Sequence, residues 1–409
     1  MANIPTVAIT EFGGLRNKQA PQEFGLHGMV TADNMNIDAA GKTMFVRRGQ
    51  TLLAATAYRG AFSAADKTRV YAVTDAGVLE DWTGGSAAAL RSGFVGYPYW
   101  TQIADIVFVG NEHQTWRIFP TGKVTDNALQ QPSSPQLTPV VGTLPAGQYR
   151  VVVVSVEAGR ESAPSDQAII EVDGTQDILV SDIQGQRLYV APANAQWLYY
   201  WCDTTATTLV YGGAATALGE ELETRDLDMM PDGRCLASYQ KRLYNAVYDA
   251  QRGVSSLSCS LGSWWDLADS GQDVRIVLGE IRAMYGLPDG LVIGTDRNIW
   301  VMVEDEITKV ADYGVPPGEP FAVDEGGKLW LATRRGFASA LPFTEVATHF
   351  ELPDADWSGS AVIRQDGDER FIVTVSPFDT ADNTKPAAAT ADIEILVTEG
   401  NEFLTAEPV

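Results

Sequence analysis

The sequence is short of the residues on which most enzyme chemistry is built. It holds three histidines and three cysteines in 409 residues. His27, His113 and His349 lie far apart, and none belongs to an HExxH or HxH pair, so a histidine-held metal is not expected. Cys202, Cys235 and Cys259 are odd in number, widely spaced and without a CxxC pair. That argues against a disulfide framework and points to buried free thiols in a protein assembled in a reducing cytosol. A GxSxG elbow, a P-loop and a GxGxxG turn after a strand are all missing. No apolar run approaches the ~20 residues of a membrane-spanning helix. The opening MANIPTVAITEFGG lacks the basic and apolar regions of a secretory signal, so neither a signal peptide nor a membrane anchor is expected. Positive charge is scarce as well: 29 basic against 53 acidic residues leave 29 − 53 = −24. A surface of that sign repels phosphate backbones, which argues against DNA wrapping. It suits a protein kept dispersed by self-repulsion, or a surface that nucleic acid passes without sticking. Helical periodicity is nearly absent; only 87–90, within SAAALRSG, looks helical.

What the chain has is a repeated hairpin. Residues 284–303, MYGLPDGLVIGTDRNIWVMV, place an apolar strand at Leu291, Val292 and Ile293. A turn follows at Gly294-Thr295-Asp296-Arg297-Asn298, then a second strand from Ile299 to Val303. Asp and Asn tolerate left-handed backbone and bond their own main chain, which favours such turns. The pattern recurs at 69–82, 105–119 and 328–341. Trp300 is expected in the core. Residues 32–37 and 44–46 read as two earlier strands.

Pro132-Ser133-Ser134-Pro135 marks a boundary, after which the texture changes. Residues 147–156 form a long β-branched strand, followed by the loop 157–165. Further strands are expected at 168–172, 178–180, 187–190 and 197–201. Short strands about ten residues apart suggest a β-sandwich. The run Tyr149-Arg150-Val151-Val152-Val153 with the Gly159-Arg160-Glu161-Ser162-Ala163-Pro164-Ser165 loop resembles the central strand and following loop of fibronectin type III domains. After Pro231-Asp232-Gly233 the hairpin texture resumes. The expected fold is therefore all-β: a β-propeller-like domain built from sequence-discontinuous blades, with an inserted Ig/fibronectin-like β-sandwich. The boundaries are 1–133 and 232–379 for the propeller, 134–231 for the insert, and 380–409 for a loop with a C-terminal strand and tail. At roughly 40–50 residues per blade, six or seven blades fit. Radial closure also protects the edges of so many short strands.

No constellation earns a catalytic, cofactor-binding or metal assignment, and no enzyme activity is expected. Asp366-Gly367-Asp368-Glu369 lacks the full calcium-loop pattern and reads as a hairpin turn. Asp226-Leu227-Asp228 and Asp354-Ala355-Asp356 read as solvated loops, and Arg47-Arg48 and Arg334-Arg335 as turn charges. Trp264-Trp265-Asp266 could stack a sugar or base, but packing between blades is the simpler role.

The second block has an ordered series: 218–233 leading into Tyr239-Gln240-Lys241-Arg242-Leu243-Tyr244, then Ser256 to Ser260, Trp264-Trp265-Asp266, the 286–296 hairpin with Ile299-Trp300, and 310–318. This series resembles structural proteins of tailed bacteriophages, of the tail-nozzle and tail-tube-extension type. The resemblance covers roughly 218–340. It implies a β-propeller virion protein in the tail, assembled in the host cytoplasm as a ring, commonly a homo-hexamer, below the portal and adaptor. DNA would leave the head through an acidic conduit without specific binding. The alternatives are a tail-tip or baseplate protein of a long-tailed phage, or a propeller-type glycan-binding protein or hydrolase.

Overall fold

A computed structural model describes residues 35–37, 44–46, 56–347 apart from 66, 158, 184, 214–216 and 263, then 355–365, 368–377, 393–398 and 403–405. No α-helix occurs among the described residues, and antiparallel strands account for the fold. Six four-stranded sheets each run in simple up-and-down order. Blade 1 comprises Tyr58–Ser63, Val70–Thr74, Val78–Asp81 and Ala88–Ser92. Blade 2 comprises Tyr99–Ile103, Ile106–Asn111, Gln114–Ile118 and Val124–Asp126. Blade 3 begins at Cys235–Tyr239 and ends at Val274–Leu278. Blade 4 runs from Ile281–Leu287 to Glu306–Ala311, and blade 5 from Phe321–Val323 to Thr344–Ala347. Blade 6 runs from Ala355–Gln365 to Phe403–Thr405.

The repeated hairpins are the middle pairs of these blades. Leu291, Val292 and Ile293 are buried because blades pack on both faces of each sheet. The turn after them is closed by Thr295, whose Oγ1 accepts the N–H groups of Arg297 and Asn298 at 3.2 and 2.8 Å. Trp300 is half-buried against the core rather than fully enclosed. Two expectations need correcting. The helical-looking 87–90 is part of the outer strand Ala88–Ser92, where pairing with blade 1 overrides alanine's preference. The C-terminal strand expected within 380–409 is Ile393–Thr398, and with Phe403–Thr405 it belongs to the propeller instead of following it. Val373 pairs with Ile395, and these strands complete blade 6.

The insert is a two-sheet sandwich. One sheet orders Gln136–Val141, Gln176–Ser181 and Thr208–Tyr211; the other centres on Gly147–Glu157, flanked by Ala168–Val172 and Gln186–Ala191, with Tyr199–Thr204 outside. The run of valines follows from burial on both faces. Val151 and Val153 enter the sandwich core, while Val152 and Val154 pack under Leu198 and Leu222. The last expected strand shifts, starting at Tyr199 and leaving Trp197 outside it and 48% exposed. Gln136–Val141 and Thr208–Tyr211 add to the expected set; Pro139 is tolerated because its strand is an edge.

The insertion does not separate blade 2 from blade 3. The first strands of blades 2 and 3 lie side by side, as do those of blades 3 and 4 and of blades 5 and 6. Approach is closest at Gly286, where a Cβ would stand 1.8 Å from the Ser238 carbonyl oxygen of blade 3. Gly286→Ala is therefore expected to push the two strands apart and cost about 1–3 kcal/mol. A urea midpoint equal to that of the parent protein would contradict this packing.

Candidate functional site

Two places gather polar groups with unusual surroundings. The first is the propeller centre. Trp357 of blade 6 stacks on Tyr97 (centroids 4.7 Å apart) and meets Tyr99 edge-on at 4.8 Å. The Tyr99 hydroxyl donates to the Arg282 carbonyl of blade 4 at 3.1 Å. These contacts link blades 2, 4 and 6. Beside them Glu319, just before blade 5, accepts the Trp100 N–H of blade 2 at 2.8 Å. Its own N–H donates to the Ser358 carbonyl and its carbonyl accepts the Ser360 hydroxyl, both on blade 6. Among the described residues Glu319 has no cationic partner. Burial pushes its carboxyl up to about 8, against a smaller opposing pull from the Trp100 N–H.

The second is the junction between the insert and blades 2 and 3. Arg117 lies in the strand Gln114–Ile118, among apolar neighbours, with a side chain only 4% exposed. Its Nε–H donates to Asn127 Oδ1 at 2.7 Å, and its Nη2 stands 3.1 Å from Asp266 Oδ1. Arg160, on the hairpin that leaves the central sandwich strand, reaches Asp266 Oδ2 at 3.4 Å and the Asn127 carbonyl at 3.1 Å. One buried carboxylate therefore serves two guanidiniums, and burial is the main force lowering the Arg117 pKa. Next to this floor, Glu161 Oε1 accepts both Arg187 Nη1 at 2.7 Å and the Tyr189 hydroxyl at 2.6 Å. These groups line a cavity of about 620 Å³, rimmed by Glu220, Glu221 and Glu223.

The structure separates the tryptophan pair. Trp265 packs between blades 2 and 3, edge-on to Phe108 at 5.6 Å, with its Nε1 donating to the Lys241 carbonyl. Trp264 is half-buried and lines the junction cavity. His113 is exposed in a turn next to Glu112. Asp226 bonds the adjacent Arg225, and Asp228 is exposed. Arg334 and Arg335 occupy the hairpin turn of blade 5, with Arg335 over the Tyr313 ring. Gln365 pairs with Asp368 at the end of a hairpin. His27, Arg47, Arg48, His349, Asp354, Asp366 and Gly367 lie outside the described residues. Cys235 and Cys259 are buried free thiols, pushed up to about 12 and about 11 mainly by burial, and Cys202 is half-buried. The Arg117–Asp266–Arg160 cluster and Glu319 are absent from the sequence-based expectations. The one local signal was an arginine at an inward position of an apolar strand.

No protein-family model matches the chain, and no curated protein matches it. Among solved structures it is similar to Hsv2 of Kluyvelomyces marxianus, at 10% identity over 86% of this chain and 97% of that one, with a TM-score of 0.32. The extracellular domain of the hybrid two-component system BT4673 of B. thetaiotaomicron gives 11% identity over 86% of this chain and 38% of that one, with a TM-score of 0.27. The WD40 repeats of RRP9 give 11% identity over 70% and 88%, with a TM-score of 0.24. At these scores the likeness carries nothing about function, and the propeller rests on its own strand pairing.

Proposed function

We propose that this chain is a non-enzymatic structural component of a bacteriophage tail, a nozzle-type ring below the portal and adaptor that guides the genome out. The observation that supports it is the arrangement of parts. Among the described residues, six four-stranded blades are interrupted between blades 2 and 3 by a sandwich. The phage-like series of 218–318 runs from the end of that insert through blades 3 and 4. Tyr97, Tyr99 and Trp357 join blades 2 and 6 by ring contacts, and the conduit in this reading is the hole of a ring of copies. Carboxylates facing that hole would repel phosphate and let DNA slide. Ring closure needs head-to-tail contacts between copies. The outer strand of blade 3, with Ile276 62% and Leu278 60% exposed, offers an apolar edge for one.

Native mass spectrometry and electron-microscopic class averages of the purified protein test this reading, together with a search for the chain in purified virions. A closed ring of about six copies is expected. A protein that stays monomeric at every concentration and is missing from virions would sink it.

A further inference from the structure

We propose that the outer strand of blade 3 takes up the sandwich strand Thr208–Tyr211 of a second copy as an added antiparallel strand. This pairing rests on the ring reading of the chain and names its head-to-tail contact. Among the described residues, Val274–Leu278 and Thr208–Tyr211 are each the last strand of a sheet. The register fixes which main-chain groups are free. Cys259 N–H donates to the directly opposite Asp273 carbonyl, and Gly279 N–H to that of Gly253. Bonding alternates residue by residue in an antiparallel ladder. Arg275 and Val277 therefore turn their main-chain groups inward, and Ile276 and Leu278 turn theirs outward. In the sandwich, Gly142 N–H donates to the opposite Thr175 carbonyl. Ile178 and Val180 then serve Tyr211 and Leu209, which leaves Thr208 and Val210 facing outward.

The residues with free main-chain groups also carry the exposed side chains. Ile276 and Leu278 are mostly exposed, Val210 is 53% exposed, and Thr208 is exposed. Setting Val210 opposite Ile276 puts Thr208 opposite Leu278, and each pair exchanges both N–H···O bonds. Ile276 already lies in one cross-strand row with Ser256 and Val247, and Val210 in one with Leu179. The added strand joins the two rows into one face. Charge selects the partner. At −24 over the whole chain, most surfaces of two copies repel each other. Thr208–Tyr211 carries no charge, and Val274–Leu278 carries only Arg275, which falls opposite the uncharged Tyr211. Proline and charge, which commonly blunt an edge, are otherwise missing from both strands. Pairing Val274–Leu278 with itself about Ile276 would bring two Arg275 side chains diagonally across, about 7–8 Å apart. Such a contact is two-fold and stops at a dimer, whereas the pairing of unlike strands continues from copy to copy.

Disulfide trapping tests the contact. Val210→Cys and Ile276→Cys are made in separate full-length chains, mixed, and oxidised with diamide. Residues opposed in such a pair have Cα atoms about 5.5 Å apart, within disulfide reach. A covalent dimer is expected from the mixture and from neither chain alone; the parent protein, with its own free cysteines, sets the background. Val210→Lys and Ile276→Lys, each at an exposed position, should keep the thermal midpoint of the parent. Each should weaken association at least about tenfold in native mass spectra, because it places an unpaired charge in the contact. A ring that survives both lysines, or a mixture that forms no disulfide although the parent forms a ring, overturns the contact and leaves the ring reading standing. Ile276→Cys linking to itself overturns it in favour of back-to-back pairing. Disulfide-linked open chains that never close support the contact and sink the ring. A parent protein that is monomeric at every concentration overturns both.

Discussion

Asp266→Asn is expected to lower the stability of the folded chain by about 3–5 kcal/mol, although the substitution changes almost nothing in shape. The Asp266 side chain is 7% exposed and is the ion-pair partner of both Arg117 and Arg160. An amide in its place leaves two like charges facing each other, one of them buried. Arg117 cannot escape by losing its proton, since a guanidinium stays charged in proteins. Its pKa is already lowered by burial and by Arg160, and Asp266 supplies the opposing force. With that force gone, the least costly response is to let water in by loosening the insert from blade 2. Arg160 is 27% exposed, so Arg160→Ala alone should cost only about 1 kcal/mol. Combined with Asp266→Asn, it should restore part of the loss, because it removes the repulsion. Urea unfolding followed by fluorescence of the neighbouring Trp264 and Trp265 measures all three proteins. An Asp266→Asn midpoint close to the parent value, or a double variant worse than the sum of the singles, would refute the account.

The sequence shows the blades because a blade is a local object. Each middle pair is two apolar runs joined by a short polar turn, and 69–82, 105–119, 284–303 and 328–341 all carry that pattern within about twenty residues. The outer strands carry little of it. Ala88–Ser92 is mostly exposed and sends only Leu90 against the core, too little to impose alternation. Gln136–Val141 contains a proline that argues against a strand until its edge position is known. The C-terminal strand is legible in the sequence, but its place in blade 6 is not, because a long polar segment separates it from Asp368–Pro377. The junction was beyond local reading. Arg160 and Asp266 lie 106 positions apart, and nothing short-range links either of them to Arg117. Only the docking of the insert beside blades 2 and 3 turns three scattered charges into one cluster. Glu319 was hidden for the same reason: its neighbours come from blades 2 and 6.

Glu319 leads to the second large effect, a fall in stability as the solution becomes neutral. The folded chain holds this carboxyl at about 8, above its ordinary 4.5, because burial opposes its charge. Below pH 4.5 the group is protonated in folded and unfolded chains alike and contributes nothing. From 4.5 upward the unfolded chain ionises it while the fold still holds the proton. Each pH unit then removes up to about 1.4 kcal/mol until the folded group also ionises near 8, and above that the loss is constant. The partial opening at Glu319 trims the total to the order of a few kcal/mol. Other carboxylates, such as Asp203 and Asp226, are lowered by arginine partners and add slopes of the opposite sign at lower pH. The measurement is therefore a difference between two proteins. Nearby Tyr285 titrates above its ordinary 10 and stays outside the window. Glu319→Gln keeps an oxygen to accept the Trp100 N–H but cannot ionise. It should match the parent protein at about pH 4, diverge steadily through neutrality, and be more stable by a few kcal/mol at about pH 8. Unfolding midpoints that run parallel across this range would show that the centre tolerates a charged carboxylate. Divergence would show that blades 2, 5 and 6 are held most tightly when Glu319 carries its proton.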